Sequence, residues 1–206
     1  MSRLVLVIAR SGTGKSSSLR NLKKEEAGVV LCSGKELPFQ NDLKTIVPKG
    51  YIDVLYVVEN SEAPIIVIDD INYLMSFEEM ARANEIGYTK FTQMASNMFD
   101  IFKKIIDKES DQIFYLFAHQ DESEDGQLRV KTTGKMLSEK VVLEGLTNIV
   151  ITTEVQDGEF LFRVKTDGKG VKSPMGMFEN DTIPNDIKLV DQAIRKFYEP
   201  KKEVKK

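Results

Sequence analysis

Hydrophobic residues in this chain fall mostly in short unbroken runs rather than in strict alternation. Leu4 to Ile8, Val29 to Cys32, Pro64 to Ile68 and Ile113 to Ala118 are four such runs, rich in β-branched side chains. Each reads as a strand buried on both faces, the pattern of a parallel sheet covered by helices. Between the third and fourth runs, Phe91, Met94, Ala95, Met98, Phe99, Phe102, Ile105 and Ile106 recur at helical spacing and mark one apolar helix face. Residues 50–60 fit either a helix or a strand, and helix is favoured because the next strand follows at once. Shorter helices are predicted over 16–24 (apolar Leu19 and Leu22), 135–143 and 186–198. Residues 33–42, with Gly34, Pro38 and Asn41, and residues 167–185 read as loops. A charged hairpin-like loop at 121–126 leads into a basic strand at 127–132. Strands at 148–154 and 159–166 are joined by an Asp157-Gly158 turn. The expected architecture is α/β in three layers, a mostly parallel sheet with helices on both faces and added C-terminal strands. One domain is predicted over residues 1–198, with a basic solvated tail at 199–206 and no internal repeat.

Composition changes this picture little. The chain has 206 residues, 41% hydrophobic and 30% charged, which suits a globular protein with a substantial core. Its net charge of −3 provides no global basic field toward nucleic acid, so any DNA contact must be local. The single cysteine, Cys32, stands in an apolar run and points to a buried thiol in a reducing cytoplasm. The N-terminal apolar run is too short for a signal sequence, and no stretch reaches the ~20 apolar residues that span a bilayer. A cytoplasmic protein without a membrane partner is expected.

Candidate chemistry begins where the first strand ends. Ala9-Arg10-Ser11-Gly12-Thr13-Gly14-Lys15-Ser16, followed by Ser17, runs from a buried strand into the start of a helix. Consecutive backbone N–H groups can curl around a phosphate there, because Gly12 and Gly14 carry no Cβ to obstruct the approach. The following helix is expected to add its free N–H groups and dipole. Lys15 would bridge β- and γ-phosphate oxygens, and the Ser16 hydroxyl would hold Mg²⁺. Ala9 replaces the glycine that usually opens such a loop. The third strand ends in Asp69-Asp70; Asp69 is the expected metal partner, through a water, and these residues imply ATP and Mg²⁺ as cofactors.

Hydrolysis also needs a group that orients or deprotonates water. Asp70 and Glu36 are equal candidates, and His119 and Gln120, at the end of the fourth run, are placed to sense a γ-phosphate. Arg129, Lys131 and Lys135 form a basic set that either stabilises transferring charge in a neighbouring subunit or is a solvated edge.

On these lines the chain resembles the RecA/AAA-type P-loop ATPases. It is most similar to the short ATP-binding proteins that phages encode among their replication and recombination genes. Residues 7–18, 66–70, 117–121 and 131–137 with Glu144-Gly145, and 172–178 with Asn185-Asp186, carry the likeness. The resemblance implies an oligomeric ATPase acting with DNA, single-stranded DNA or phage replication and recombination proteins being the partners. A small-molecule kinase is the first alternative, but its lid would need several arginines, and of the seven here only Arg129 lies in the right region. A GTPase would need a base-reading Asn-Lys-x-Asp motif, which Asn185-Asp186-Ile187-Lys188 does not match. The non-enzymatic alternative is a nucleotide-gated binding module with little hydrolysis, which Asp70 in place of a glutamate keeps open.

Overall fold

The computed structural model describes residues 2–122, 126–166 and 168–200. Residues 201–206 of the expected tail, and residues 123–125 of the expected hairpin loop, lie outside the described residues. The chain is an α/β protein built on one mostly parallel mixed sheet, whose strand order is β3-β2-β4-β5-β1-β7-β8-β9, with β6 paired to β5 outside that path. The parallel strands are β1 (Arg3–Ala9), β2 (Ala27–Leu31), β3 (Lys44–Ile46), β4 (Ile65–Asp69), β5 (Ile113–Glu122) and β7 (Ile149–Gln156). Antiparallel partners are β6 (Leu128–Val130), β8 (Glu159–Arg163) and β9 (Thr182–Pro184).

Pleating explains why the runs are continuous: successive side chains enter opposite cores. Leu4, Leu6 and Ile8 of β1 join one cluster with side chains of α1 (Tyr51–Asn60), α2 (Asn72–Ala81) and α3 (Thr89–Asp107). Val5 and Val7 join the other, with Leu19, Leu22 and the face of α4 (Ile187–Tyr198) that carries Ile187, Val190 and Ile194. Helices therefore cover both faces of the sheet. The α3 stripe is buried as the spacing requires, and the helical reading of 50–60 is borne out in α1. The Asp157-Gly158 turn has positive φ at both residues, 50° and 82°, which matches the twist of the β7–β8 hairpin.

Four expectations need correction. The helix expected at 16–24 is a single 3-10 turn, Ser16–Leu19. Three consecutive serines are weak helix formers, and Ser18 Oγ bonds back to the Lys15 carbonyl, competing with helix propagation. The helix expected at 135–143 is a π-type turn, Met136–Val141, broken at Val142 (φ 55°) and resumed as a 3-10 turn, Leu143–Leu146. Strand β9 lies inside the expected 167–185 loop, and the basic strand expected at 127–132 spans only Leu128–Val130, as β6. Helix α2 and the short edge strand β3 had no expectation at all, because each is too short or too polar to show a clear period.

Candidate functional site

The parallel register sets Ala9 beside His119, and Asp69 beside Leu31, so the carboxyl ends of β1, β5, β4 and β2 converge at one edge of the sheet. Open α/β sheets place ligands at that edge. The loop leaving β1 turns through left-handed conformations at Gly12 (φ 79°) and Gly14 (φ 100°). Gly14 is doubly required: a Cβ there would stand 2.9 Å from Phe160 Cδ1 and 3.2 Å from Asn185 Oδ1. After it the chain closes a tight turn, the Ser18 N–H donating to the Gly14 and Lys15 carbonyls at 3.1 Å. Since only one 3-10 turn follows, the extended helix dipole expected here is absent. An anion at this loop would meet its backbone N–H groups and Lys15 rather than a long helix dipole.

Lys15 is 6% exposed, and its Nζ lies 3.7 Å from Asp70 Oδ1. Burial lowers its pKa, while Asp70 and Asp69 pull the other way. Ser16 Oγ donates to Asp69 Oδ2 at 2.8 Å. The second Asp69 oxygen is buried with no hydrogen-bond partner. Burial, reinforced by the Asp70 charge, pushes the Asp69 carboxyl up to about 6. Asp70 sits in the left-handed region at φ 57°, conformational strain of the kind functional sites hold. Its Oδ1 also lies 3.4 Å from His119 Nε2. Burial and the nearby Lys15 ammonium hold His119 below its usual range, favouring neutral imidazole.

These groups line a cleft of about 290 Å³ together with Ser11, Gly12, Gly14 and Ser17 from the loop and Glu36 from the β2–β3 connection. The structure therefore brings together most of the residues singled out in the sequence. Others lie elsewhere. Arg10, Thr13 and Gln120 line a separate cavity beside β7, where Thr13 Oγ1 lies 2.5 Å from Thr153 Oγ1. Strand alternation is the reason for Gln120, which must face away from its neighbour His119. Lys131 and Lys135 are exposed and do not line the cleft; Lys135 pairs with Glu139 at 3.1 Å.

Three contributors had no expectation from the sequence, and a fourth, Asn185, had no assigned role. Lys35 and Phe160 line the cleft. Asn72, 6% exposed, accepts a 2.5 Å hydrogen bond from the His119 N–H and donates through Nδ2 to the Lys131 carbonyl, tying β5 and the residue after β6 to α2. Asn185 packs against Gly14. Only Asn72 had a local signal, a polar residue two positions beyond the acid pair; the rest depend on contacts distant in sequence.

Compared with known proteins, the chain matches no protein-family model and no curated protein. No helix among the described residues is long and apolar enough to cross a membrane. Nor does any cluster of three or more His, Cys, Asp or Glu side chains among them suffice for a metal ion. That donor set is still compatible with Mg²⁺, which is commonly held by one or two carboxylates with phosphates and water completing its shell. The partnerless Asp69 oxygen beside the Ser16 hydroxyl is a hard-oxygen pair of that kind.

Proposed function

We propose that this protein binds ATP with Mg²⁺ at the β1 loop and hydrolyses it, as a P-loop ATPase of RecA/AAA type. The observation that carries the reading is the Ser16–Asp69 hydrogen bond beside the buried Lys15 ammonium, because it unites the two sequence motifs across an intervening strand. Loop N–H groups and Lys15 would hold the β- and γ-phosphates, and Ser16 and Asp69 would hold Mg²⁺, which neutralises charge on those oxygens. Asp70 is the better water-orienting candidate of the two. It lies within the buried cluster next to Lys15 and His119, whereas Glu36 is exposed at the rim. Neutral His119 can accept or donate a hydrogen bond at the terminal phosphate. A second reading, a nucleotide-gated binding module with slow turnover, is favoured by one observation: the Asp70 carboxylate is engaged by Lys15 and His119.

Homo-oligomerisation and action on DNA belong to the same proposal. They rest on the resemblance and on the basic set after β6. Calorimetry with ATP in the presence of Mg²⁺ or of a chelator, followed by phosphate release with and without single-stranded DNA, tests the reading. Saturable Mg²⁺-dependent binding with turnover supports the ATPase, and binding with little turnover supports the gated module. Failure to bind ATP overturns both.

A further inference from the structure

Next to the phosphate cleft lies a second cavity of about 480 Å³, and the two share Ser17 and Phe160. Asn185 forms part of its wall. This residue is 1% exposed, yet neither its Oδ1 nor its Nδ2 has a hydrogen-bond partner. An unpaired buried carboxamide is costly, so a fold retains one where something else supplies its partners. Its backbone is firmly anchored. The Asn185 N–H donates to the Phe160 carbonyl at 3.2 Å, and its own carbonyl accepts from Arg20 Nη1 at 2.6 Å. Asp186 then caps α4 by accepting from the Lys188 N–H at 2.9 Å, and also accepts from Asn21 Nδ2 at 2.6 Å. The Phe160 ring and the Asn185 carboxamide meet over Gly14, and Phe160 is 47% exposed.

Resting on the nucleotide reading above, we propose that this second cavity is the base subsite, where adenine stacks on Phe160 and the Asn185 carboxamide reads its edge. Direction comes from the lining. Asp69, Asp70 and His119 belong only to the first cleft, which makes that the γ-phosphate end; Ser17 and Phe160 bridge to the second, where the nucleoside follows. Selectivity comes from the functional group. A carboxamide presents one acceptor beside one donor and complements adenine, whose edge offers an amino donor next to a ring-nitrogen acceptor. On the corresponding N7 edge guanine offers two acceptors, N7 and O6, which a carboxamide cannot pair with at both atoms. Because the carboxamide atoms are buried beside Phe160, reading the base requires that ring to turn aside. This also gives Asn185-Asp186 a role: one reads the base and the other fixes the helix that holds it.

The chain contains no tryptophan, so Phe160→Trp introduces a single tryptophan at the stacking position, excitable apart from the six tyrosines. ATP and AMP should quench its emission, inorganic tripolyphosphate should not, and GTP should require roughly tenfold higher concentration. By calorimetry, Phe160→Ala should raise the ATP Kd about tenfold or more while changing the Mg²⁺-tripolyphosphate Kd less than about twofold. Asn185→Asp should erase or reverse the preference for ATP over GTP. If circular dichroism shows that variant unfolded, the Phe160 measurements decide alone. Should wild type bind tripolyphosphate as tightly as ATP, with Phe160→Ala affecting neither, the cavity is no base subsite and the phosphate reading stands. Absence of both ATP and tripolyphosphate binding would overturn both readings together.

Discussion

Ser16 Oγ donates a 2.8 Å hydrogen bond to Asp69 Oδ2, while Asp69 Oδ1 remains buried without a partner. The carboxylate is thus half satisfied, and a second carboxylate, Asp70, follows it directly. A site arranged this way disfavours its own negative charge until a cation shares it.

That imbalance predicts an unusual stability effect for Asp69→Asn. Burial and Asp70 raise the Asp69 pKa to about 6 in the fold, above its ordinary value of 3.8. Between those values the native state holds a proton that the unfolded chain has lost, so stability falls as pH rises from about 4 to about 6. The penalty is on the order of a few kcal/mol above pH 6 and vanishes below pH 4. His119, with its lowered pKa, works in the opposite sense, so the comparison of variant with wild type isolates Asp69. Thermal melts in chelator should show Asp69→Asn more stable than wild type at pH 7.5 and equal to it near pH 4, with Mg²⁺-dependent ATP binding lost. A variant less stable at pH 7.5 would mean that the carboxylate is well satisfied as it stands.

Lys15→Met preserves much of the buried stem but removes the ammonium. A charge-assisted contact to phosphate is worth about 1.5–3 kcal/mol, so ATP affinity should fall roughly tenfold to a hundredfold. Unchanged affinity by calorimetry would sink the nucleotide reading. Some stability should also be lost, because Asp70 and Asp69 would keep their burial without the cation that offsets it.

For the water-orienting group, Asp70→Asn is the cleaner test, since Asn tolerates the left-handed backbone that Asp70 adopts at φ 57°. Single-turnover hydrolysis should fall by about 10² or more in Asp70→Asn with ATP binding retained, and only slightly in Glu36→Gln. The reverse ranking would transfer the role to the rim residue.

How legible the site was in the sequence depended on how local its geometry is. The loop from Ser11 to Ser17 and the Asp69-Asp70 strand end are contiguous motifs whose spacing carries their chemistry, and they meet at the sheet edge as expected. His119 was placed correctly for a simple reason: β5 lies beside β4 and its register with β1 brings the residue to the loop. Gln120 lies outside the cleft because alternation along β5 admits only one of two adjacent residues to it. The helix after the loop failed because serine side chains bond locally and stop it after one turn. Phe160 was out of reach and Asn185 was named without a role, since their position against Gly14 is set by the β8–β9 pairing, more than a hundred residues away along the chain.

Assembly gives the last prediction. Among the described residues, Lys15 and Lys35 are the basic side chains that line the cleft, whereas Lys131 and Lys135 stand exposed after β6. Charge developing on a transferred phosphoryl group is commonly stabilised by a basic residue, supplied in some ATPases by a neighbouring subunit. If Lys131 or Lys135 serves that role, it must do so toward a second copy, because neither lines the cleft of its own chain. Turnover per subunit should then rise with protein concentration, and Lys131→Ala or Lys135→Ala should lose turnover while keeping ATP affinity. Mixing such a variant with Asp69→Asn should partly restore activity, pairing an intact cleft with an intact basic residue. Lys135 already has a solvent-exposed partner in Glu139, a pair worth well under about 1 kcal/mol, so its release toward a neighbour costs little. Light scattering that shows a monomer at working concentration, with a turnover number independent of concentration, would leave the basic set as a solvated edge.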